Sequence, residues 1–152
     1  MKARLEGLRG IFHVLAEQHG EVVALLERAK GDAATRAALW PQLRRELRSH
    51  ELAEVRELYP LLRADPTTRQ LADHHDAEAR ELDALVLQLD ALDPRSDEAG
   101  KLLEVLADRV VHHADEEETK IVPRAQAALG EDKTEELEDT VLLAKSQLVD
   151  AT

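Results

Sequence analysis

The chain has 152 residues, a formal net charge of −12 and no cysteine. Its length suits one domain with a buried core, and the lack of cysteine excludes disulfide bonds and thiolate metal sites. The acidic balance argues against a nucleic-acid partner. No stretch approaches the ~20 apolar residues of a membrane span, so we expect a cytoplasmic protein without a membrane partner.

The composition is typical of a helical bundle. Leu, Ala, Glu and Arg are abundant, and aromatic residues make up 2% of the chain. Turn-forming stretches at 30–32, 63–68, 92–100 and 129–132 divide the sequence into five predicted helices, at about 2–29, 33–63, 66–91, 96–129 and 132–148. Asp32 is the predicted cap of the second helix, and Asp65 is the predicted cap of the third, with Pro66 at its first helical position.

Short connections favour antiparallel neighbours, so the first four helices predict an all-α, up-down-up-down four-helix bundle over residues 1–130. Residues 131–152 contain an additional amphipathic C-terminal helix. We expect this helix to pack on the bundle or on a partner subunit, which leaves a homodimer as an open alternative.

Each of the first four helices has a histidine on its apolar stripe, where another aliphatic residue would be expected. Two of these helices add a glutamate one turn later on the same face. Such groups cost roughly several kcal/mol when they are buried without partners, whereas a bound cation turns that cost into binding energy. The stripes therefore predict a metal centre. Its predicted ligands are His19, His50, Glu54, His75, His113 and Glu117.

The second and fourth helices repeat one pattern. HELAEVRELYP at 50–60 and HADEEETKIVP at 113–123 each run from a His through a Glu four residues later to a Pro, at an offset of 63 residues. The spacing of four places both ligands on one helix face. The Pro lies beyond them, where the loss of a backbone hydrogen bond lets the helix bend.

The donor types indicate the metal. Four imidazoles and two carboxylates suit a first-row transition metal, with iron favoured and zinc or manganese as rivals. Six ligands exceed what one tetrahedral zinc ion needs. They suit two metals bridged by the carboxylates, with positions left for solvent or substrate.

Two of the predicted ligands directly follow another histidine. We prefer His75 to His74, because His74 lies nearer the edge of its apolar stripe. The repeat offset selects His113 over His112 in the fourth helix. The two rejected histidines are expected to be partly solvated or to lie in the surroundings of the ligands.

Other polar residues near the pattern have less specific expectations. Glu51, Glu116 and Glu118 fall off the ligand stripe and are expected to be solvated charges. His13 lies off the first stripe, at the surface or near the ligands. Tyr59 either packs in the core or donates a hydrogen bond to a bound oxygen species.

These motifs resemble the hemerythrin-like HHE cation-binding family over about residues 13–127. The matching stretches are LAEQHGEVVALL, LRSHELAEVRELYPLL, DHHDAEARELDAL and VVHHADEEETKIVP. The resemblance implies a non-haem di-iron centre in a four-helix bundle, bridged by the carboxylates of Glu54 and Glu117 and by an oxo or hydroxo group. The four histidines would be terminal ligands. Family members bind or sense dioxygen, respond to nitric oxide or peroxide, or handle iron.

One departure from the oxygen-carrying members lies on the third helix, where they have a second His four residues after the first. Here Ala79 stands four residues after His75, and Glu78 stands four after His74. One metal would therefore be more open, or ligated by Glu78, with His74 and Glu78 as additional ligand candidates. This weakens simple oxygen carriage and strengthens redox chemistry at an open site.

We therefore expect a di-iron protein that binds or reacts with dioxygen, peroxide or nitric oxide. A peroxide- or nitric-oxide-reactive oxidoreductase is the catalytic variant of this expectation. The alternative is a non-enzymatic metal-binding module that senses or handles iron. Visible spectra of the reduced and aerated protein separate the two.

Overall fold

The computed structural model describes residues 7–151, and the side chains of residues 7–148. Over this part of the chain the protein is all-helical and has no strand, which confirms the predicted all-α class. Helices two and four are each interrupted by one π-helical turn. The α-helical segments are α1 Ile11–Ala29, α2 Ala33–Ala53, α3 Tyr59–Ala64, α4 Arg69–Asp90, α5 Asp97–Glu116, α6 Val122–Leu129 and α7 Glu131–Ala151. The π-helical turns are Glu54–Leu58, between α2 and α3, and Glu117–Ile121, between α5 and α6.

The first helix begins later than residue 2, where the sequence predicts its start. Residues 2–6 lie outside the described part of the chain, and residues 7–10 are not helical. Gly10 has a positive φ of 52°, and a Cβ atom built on it would lie 2.6 Å from the carbonyl oxygen of Thr134. A residue with a side chain would be strained in this conformation and would collide with α7. Helix α1 therefore starts at Ile11, against the first turn of α7.

The third helix begins at Arg69, three residues after the predicted start at 66. The Asp65 side chain accepts hydrogen bonds from the backbone N–H and the hydroxyl of Thr67, at 2.8 and 2.7 Å. These bonds hold residues 66–68 as a turn rather than as the first turn of the helix. The predicted cap of the second helix is present, since Asp32 accepts a hydrogen bond from the Thr35 N–H at 2.9 Å.

The two π-helical turns begin at corresponding glutamates of the sequence repeat. The N–H of Tyr59 donates to the carbonyl of Glu54, and the N–H of Val122 donates to the carbonyl of Glu117. A proline follows directly in each case. Proline has no N–H to donate, and its ring crowds the carbonyl four residues earlier. Single π-helical turns inside α-helices occur frequently at functional sites.

Contacts between helices place α1 beside α2 and α5, and α4 beside α5 and the α2–α3 helix. Helix α7 packs on α1 and α2. The apolar interior consists of two clusters. The first includes Ile11, Phe12, Leu15, Leu58, Leu62, Ile121, Leu137 and Val141. The second includes Val22, Leu26, Leu43, Leu47, Leu82, Val86, Leu103 and Leu106. Within the described helices, none is long and apolar enough to cross a membrane.

Candidate metal centre

The first ligand cluster contains four buried residues, His19, His50, Glu54 and Glu117, whose ligand atoms all lie within 4.8 Å of one another. Helices α1 and α2 bring the Nε2 atoms of His19 and His50 to 3.1 Å. The Nε2 of His50 lies 3.1 Å from Glu54 Oε1. The Nε2 of His19 lies 3.3 Å from Glu117 Oε1. Imidazole and carboxylate lone pairs from three helices therefore converge on one point.

The second ligand cluster contains Glu51, His75 and His113, also buried and within 4.8 Å of one another. The imidazoles of His75 and His113 stack with their centroids 3.6 Å apart and an interplanar angle of 9°. The Nε2 of His113 lies 3.3 Å from each carboxylate oxygen of Glu51. Helices α2, α4 and α5 thus supply one ligand each.

Glu117 contacts both clusters. Its Oε1 faces His19 of the first cluster, whereas its Oε2 contacts Nε2 of His75 in the second. The hydroxyl of Tyr59, which is fully buried, donates to the same Oε2 at 2.7 Å. Glu117 therefore links the two ligand clusters, and Tyr59 holds the orientation of its carboxylate.

The outer nitrogen of His50 is also held. Its Nδ1 lies 2.7 Å from Oε1 of Gln18, which can accept a hydrogen bond from it. This contact favours the tautomer that protonates Nδ1 and leaves the lone pair on Nε2, the nitrogen that faces the cluster. Such partners behind a ligand fix its orientation toward a metal.

In the metal-free protein the pKa values of the two histidines of the first cluster are shifted in opposite directions. Burial lowers the pKa of His19, but hydrogen bonds and charges from Glu117 and Glu118 outweigh it and raise that pKa to about 10. Burial and the positive charge of His19 lower the pKa of His50 to about 3. Without a metal, one proton on His19 therefore supplies the positive charge of the cluster.

The pKa values of the carboxyl groups of Glu54 and Glu117 are also shifted in opposite directions. Burial and then the charges of Glu117 and Glu51 raise the pKa of Glu54 well above its usual value. Burial also acts to raise the pKa of Glu117, but His75 and His19 hold it well below the usual range. Burial therefore favours the protonated form of Glu54, whereas the neighbouring histidines favour the ionised form of Glu117.

Several donor atoms in the two clusters are buried without hydrogen-bond partners, although neighbouring ligand atoms lie close to them. They are Nδ1 of His19, both oxygens of Glu54, both ring nitrogens of His75, Nδ1 of His113 and Oε1 of Glu117. Buried polar atoms are normally hydrogen-bonded, and each exception needs a reason. Nitrogen and oxygen atoms that point at one another without hydrogen-bond geometry fit a pair of transition-metal ions.

All six ligands predicted from the sequence lie in these two clusters, and the structure adds Glu51. Contrary to the prediction of a solvated charge, Glu51 is buried with 8% of its surface exposed. It lies about 100° from His50 around the helix but only about 60° from Glu54, three residues later, so it still faces the interior. A helical wheel centred on Glu54 rather than on His50 could have found it.

The additional ligand candidates His74 and Glu78 belong to neither buried cluster. His74 is 65% exposed and lies 3.0 Å from Oε1 of Glu78. These two residues form a separate outer cluster with Glu116. The preference for His75 over His74 agrees with this geometry, since the His75 side chain is fully buried.

Glu118 also departs from the solvated position that the sequence predicts. It is buried, and its Oε2 lies 3.7 Å from Nδ1 of His19. The π-helical turn Glu117–Ile121 accounts for this placement. Such a turn contains more residues than an α-helical turn, so a wheel drawn for an α-helix misplaces residues within it.

Two surface pockets reach toward the clusters from opposite sides. One of about 350 Å³ lies between α1 and α5 and is lined by His19, Glu118 and small apolar residues such as Ala24 and Ala114. The other, of about 250 Å³, lies between α2 and α4 and is lined by residues that include Glu51 and Ala79. Small molecules therefore have a short route to either cluster.

The comparisons with known proteins agree with this geometry. The family described as the hemerythrin HHE cation binding domain matches residues 10–125, a segment that contains both ligand clusters and both π-helical turns. The searches of curated proteins and of solved structures found no match. The family match confirms the resemblance carried by the His and Glu motifs. The chain belongs to the hemerythrin HHE cation-binding domain family.

Proposed function

We propose that this protein is a hemerythrin-like, non-haem di-iron protein that binds or reacts with dioxygen, peroxide or nitric oxide. The observation that carries the proposal is the position of Glu117, whose two carboxylate oxygens face different ligand clusters. One carboxylate shared by two buried sets of donors is the arrangement expected for a pair of metals. A single mononuclear site would leave one of the sets without a cation.

The residues divide between the two ions. His19, His50 and Glu54 would hold one ion, and His75, His113 and Glu51 would hold the other, with Glu117 between them. The resemblance implies Glu54 as a second bridge, but its carboxylate belongs to the first cluster alone. Such a mixed imidazole and carboxylate set suits iron, with zinc or manganese as rivals. When bound, an iron pair supplies two adjacent redox-active Lewis acids for a small oxygen- or nitrogen-containing ligand.

The protein itself supplies orientation, proton control and exclusion of water. Tyr59 holds Oε2 of Glu117, and Gln18 holds Nδ1 of His50. The ligand residues are at most 8% exposed, so bulk water is kept from the centre. A ligand that enters by the α1–α5 pocket meets His19, whose Nδ1 lies 3.7 Å from Oε2 of Glu118. The pocket volumes suit diatomic molecules, peroxide or small anions.

The proposal is tested by metal content and spectra. Protein reconstituted anaerobically with ferrous iron should contain close to two irons per chain, and aeration should produce near-ultraviolet and visible bands that azide or peroxide shifts. Glu57 lies in the π-helical turn that begins at Glu54 but belongs to neither cluster, so Glu57→Gln should leave the metal content and the spectra unchanged. A ceiling of one metal per chain, even after reconstitution, would overturn the bridged arrangement.

A metal-sensing or iron-handling module without turnover is the second candidate. The observation that favours it is Glu51, a third carboxylate that lines the same pocket as Ala79, the position where oxygen-carrying members of the family have a further histidine. Tight zinc occupancy, no response to azide and no consumption of peroxide would support this function. Peroxide consumption that depends on Glu54 would exclude it.

Further expectations from the sequence belong to the same proposal. The contacts of α1 with α2 and α5, and of α4 with α5, support an up-down-up-down bundle. The packing of α7 on α1 and α2 supports a C-terminal helix added to the 1–130 bundle. A cytoplasmic location, a homodimeric state and the lack of nucleic-acid partners stay predictions.

A further inference from the structure

We propose that His74, Glu78, His112 and Glu116 form an outer binding site for a divalent transition metal, and that this site passes the metal to the buried centre through Glu78. The site lies where α4 and α5 pack side by side. It is separate from the seven residues of the two buried clusters. Binding at the outer site stands independently, whereas the transfer role rests on the proposed function of the buried centre.

The geometry joins two similar pairs, one on each helix. On α4, Nε2 of His74 lies 3.0 Å from Oε1 of Glu78, four residues later. On α5, Nε2 of His112 lies 3.6 Å from Oε1 of Glu116, again four residues later. The pairs meet across the interface, because Nε2 of His74 also lies 3.5 Å from Oε2 of Glu116.

The exposures suit a site that takes up ions from solution. The imidazoles of His74 and His112 are 65% and 63% exposed, whereas the carboxylates of Glu78 and Glu116 are less than 20% exposed. Two exposed imidazoles therefore lie beside two partly buried carboxylates. Ligand atoms of His74, Glu78 and Glu116 lie within 4.8 Å of one another. Two imidazoles with two carboxylates are a suitable donor set for zinc and ferrous ions.

Glu78 gives a second reason to expect a cation at this position. Its Oε1 is buried and has no hydrogen-bond partner, because the close contact with His74 lacks hydrogen-bond geometry. A buried carboxylate oxygen in that state costs free energy until a donor or a cation satisfies it. Lys120 lies 3.3 Å from Oε1 of Glu116 and supplies positive charge there. Among the described ion pairs no lysine or arginine contacts Glu78, whose partners are His74 and His113.

Glu78 also connects the outer site to the buried centre. While its Oε1 faces His74, its Oε2 lies 4.0 Å from Nδ1 of His113, a residue of the second buried cluster. A cavity of about 10 Å³ is lined by both Glu78 and His113. A metal held by the Glu78 carboxylate is therefore one side-chain rotation from the buried ligands, and the transfer exchanges the outer imidazoles for inner donors without any redox step.

Zinc titration of the chelator-treated full chain, in competition with a chromophoric chelator, tests the site. Wild-type protein should bind zinc at the buried centre and one further equivalent of zinc, more weakly, at the outer site. The double variant His74→Ala/His112→Ala should lose the weaker equivalent, with its affinity lowered roughly tenfold or more, and should keep the buried ones. Lys120→Gln should strengthen the weaker equivalent, since the competing ammonium is gone. A titration that is unchanged in the double variant overturns the outer site.

His13→Ala is the matched control. His13 and Glu17 form the same exposed His–Glu pair at a spacing of four on α1, with a distance of 2.7 Å between Nδ1 and Oε1. No second His–Glu pair meets it among the described candidate metal groups. The control variant should therefore bind zinc as the wild type does.

Stopped-flow mixing with zinc tests the transfer role. The double variant should fill the buried centre several-fold more slowly, while its final buried content and its metal-loaded melting temperature match the wild type. Loss of the weaker equivalent with an unchanged loading rate overturns the transfer role alone. Wild-type protein that shows the weaker equivalent but no buried one would contradict the proposed function and leave the outer site standing.

Discussion

Replacing Glu54 with leucine should stabilise the metal-free protein and abolish most of the stabilisation that metal provides. Glu54 is fully buried, and neither carboxylate oxygen has a hydrogen-bond partner. Its pKa is raised well above 4.5, first by burial and then by the charges of Glu117 and Glu51. In the absence of metal the side chain is therefore an unsatisfied carboxyl group in the core, and its surroundings favour the protonated form.

An unsatisfied buried polar group costs about 1–3 kcal/mol, and an apolar side chain of similar volume removes that cost. A gain of about 2 kcal/mol raises the melting temperature of a domain of this size by roughly 4–8 °C. His50, which lies 3.1 Å from Glu54, keeps its contacts with His19 and Gln18 in the variant. The loss of the Glu54 carboxyl group therefore does not leave the His50 imidazole without polar contacts.

The pH dependence of the stabilisation has a definite sign. The raised pKa means that the folded metal-free state holds a proton on Glu54 that the unfolded state releases above about pH 4.5. The wild-type carboxyl therefore destabilises the fold increasingly as pH rises from that value toward its folded pKa. The advantage of Glu54→Leu should accordingly be larger at about pH 8 than at about pH 5.

The assay is calorimetry with a chelator and with saturating metal. Metal at about 100 times its dissociation constant stabilises the wild type by about 2.7 kcal/mol, and Glu54→Leu should lose most of this increment. Glu57→Leu is the matched control, because Glu57 lies in the same π-helical turn but contacts Arg56 rather than the clusters. A variant that is less stable than wild type without metal and still gains the full metal increment would refute the reasoning.

Three further outcomes follow from the same contacts. Tyr59→Phe removes the 2.7 Å hydrogen bond to Glu117 and should weaken zinc binding about tenfold in a chelator competition, with an unchanged affinity contradicting the positioning role. Since the pKa of His19 is about 10, metal binding at neutral pH should release at least one proton and should tighten as pH rises; calorimetry in two buffers of different ionisation enthalpy measures this, and equal enthalpies would contradict it. Ala79→His adds an imidazole one turn after His75, in the pocket beside the second cluster, and should slow azide binding to the oxidised iron protein in stopped-flow spectra.

The ligand register could be predicted because it depends on spacing within single helices. His50 and Glu54 lie one turn apart in α2, and the π-helical turn begins only at Glu54. The α-helical wheel is therefore valid up to the ligand. The same holds for His113 and Glu117 in the fourth helix.

The features that sequence reasoning missed depend on local departures from α-helical geometry or on contacts between two helices. The contact of His74 with Glu116 depends on how α4 and α5 are rotated and staggered, which no spacing within one helix encodes. The π-helical turns change the number of residues per turn just after each ligand, and the following proline was their only local signal. The late start of α1 depends on the close approach of α7 to Gly10, a contact between residues far apart in the chain.

The division of the apolar interior bears on how the protein opens. The two hydrophobic clusters share no residue, and the metal ligands lie between them along each helix. On α2 and α5 the ligands follow the second cluster's Leu47 and Val110 and precede the first cluster's Leu58 and Ile121. In the metal-free protein the halves are joined by a layer of imperfectly paired imidazoles and carboxyls. Native-state hydrogen exchange should then reveal two separate cooperative units in chelator, merging into one when metal is bound. Metal occupancy would thus set the size of the smallest unit that can unfold, and with it the susceptibility of the chain to proteases when metal is scarce.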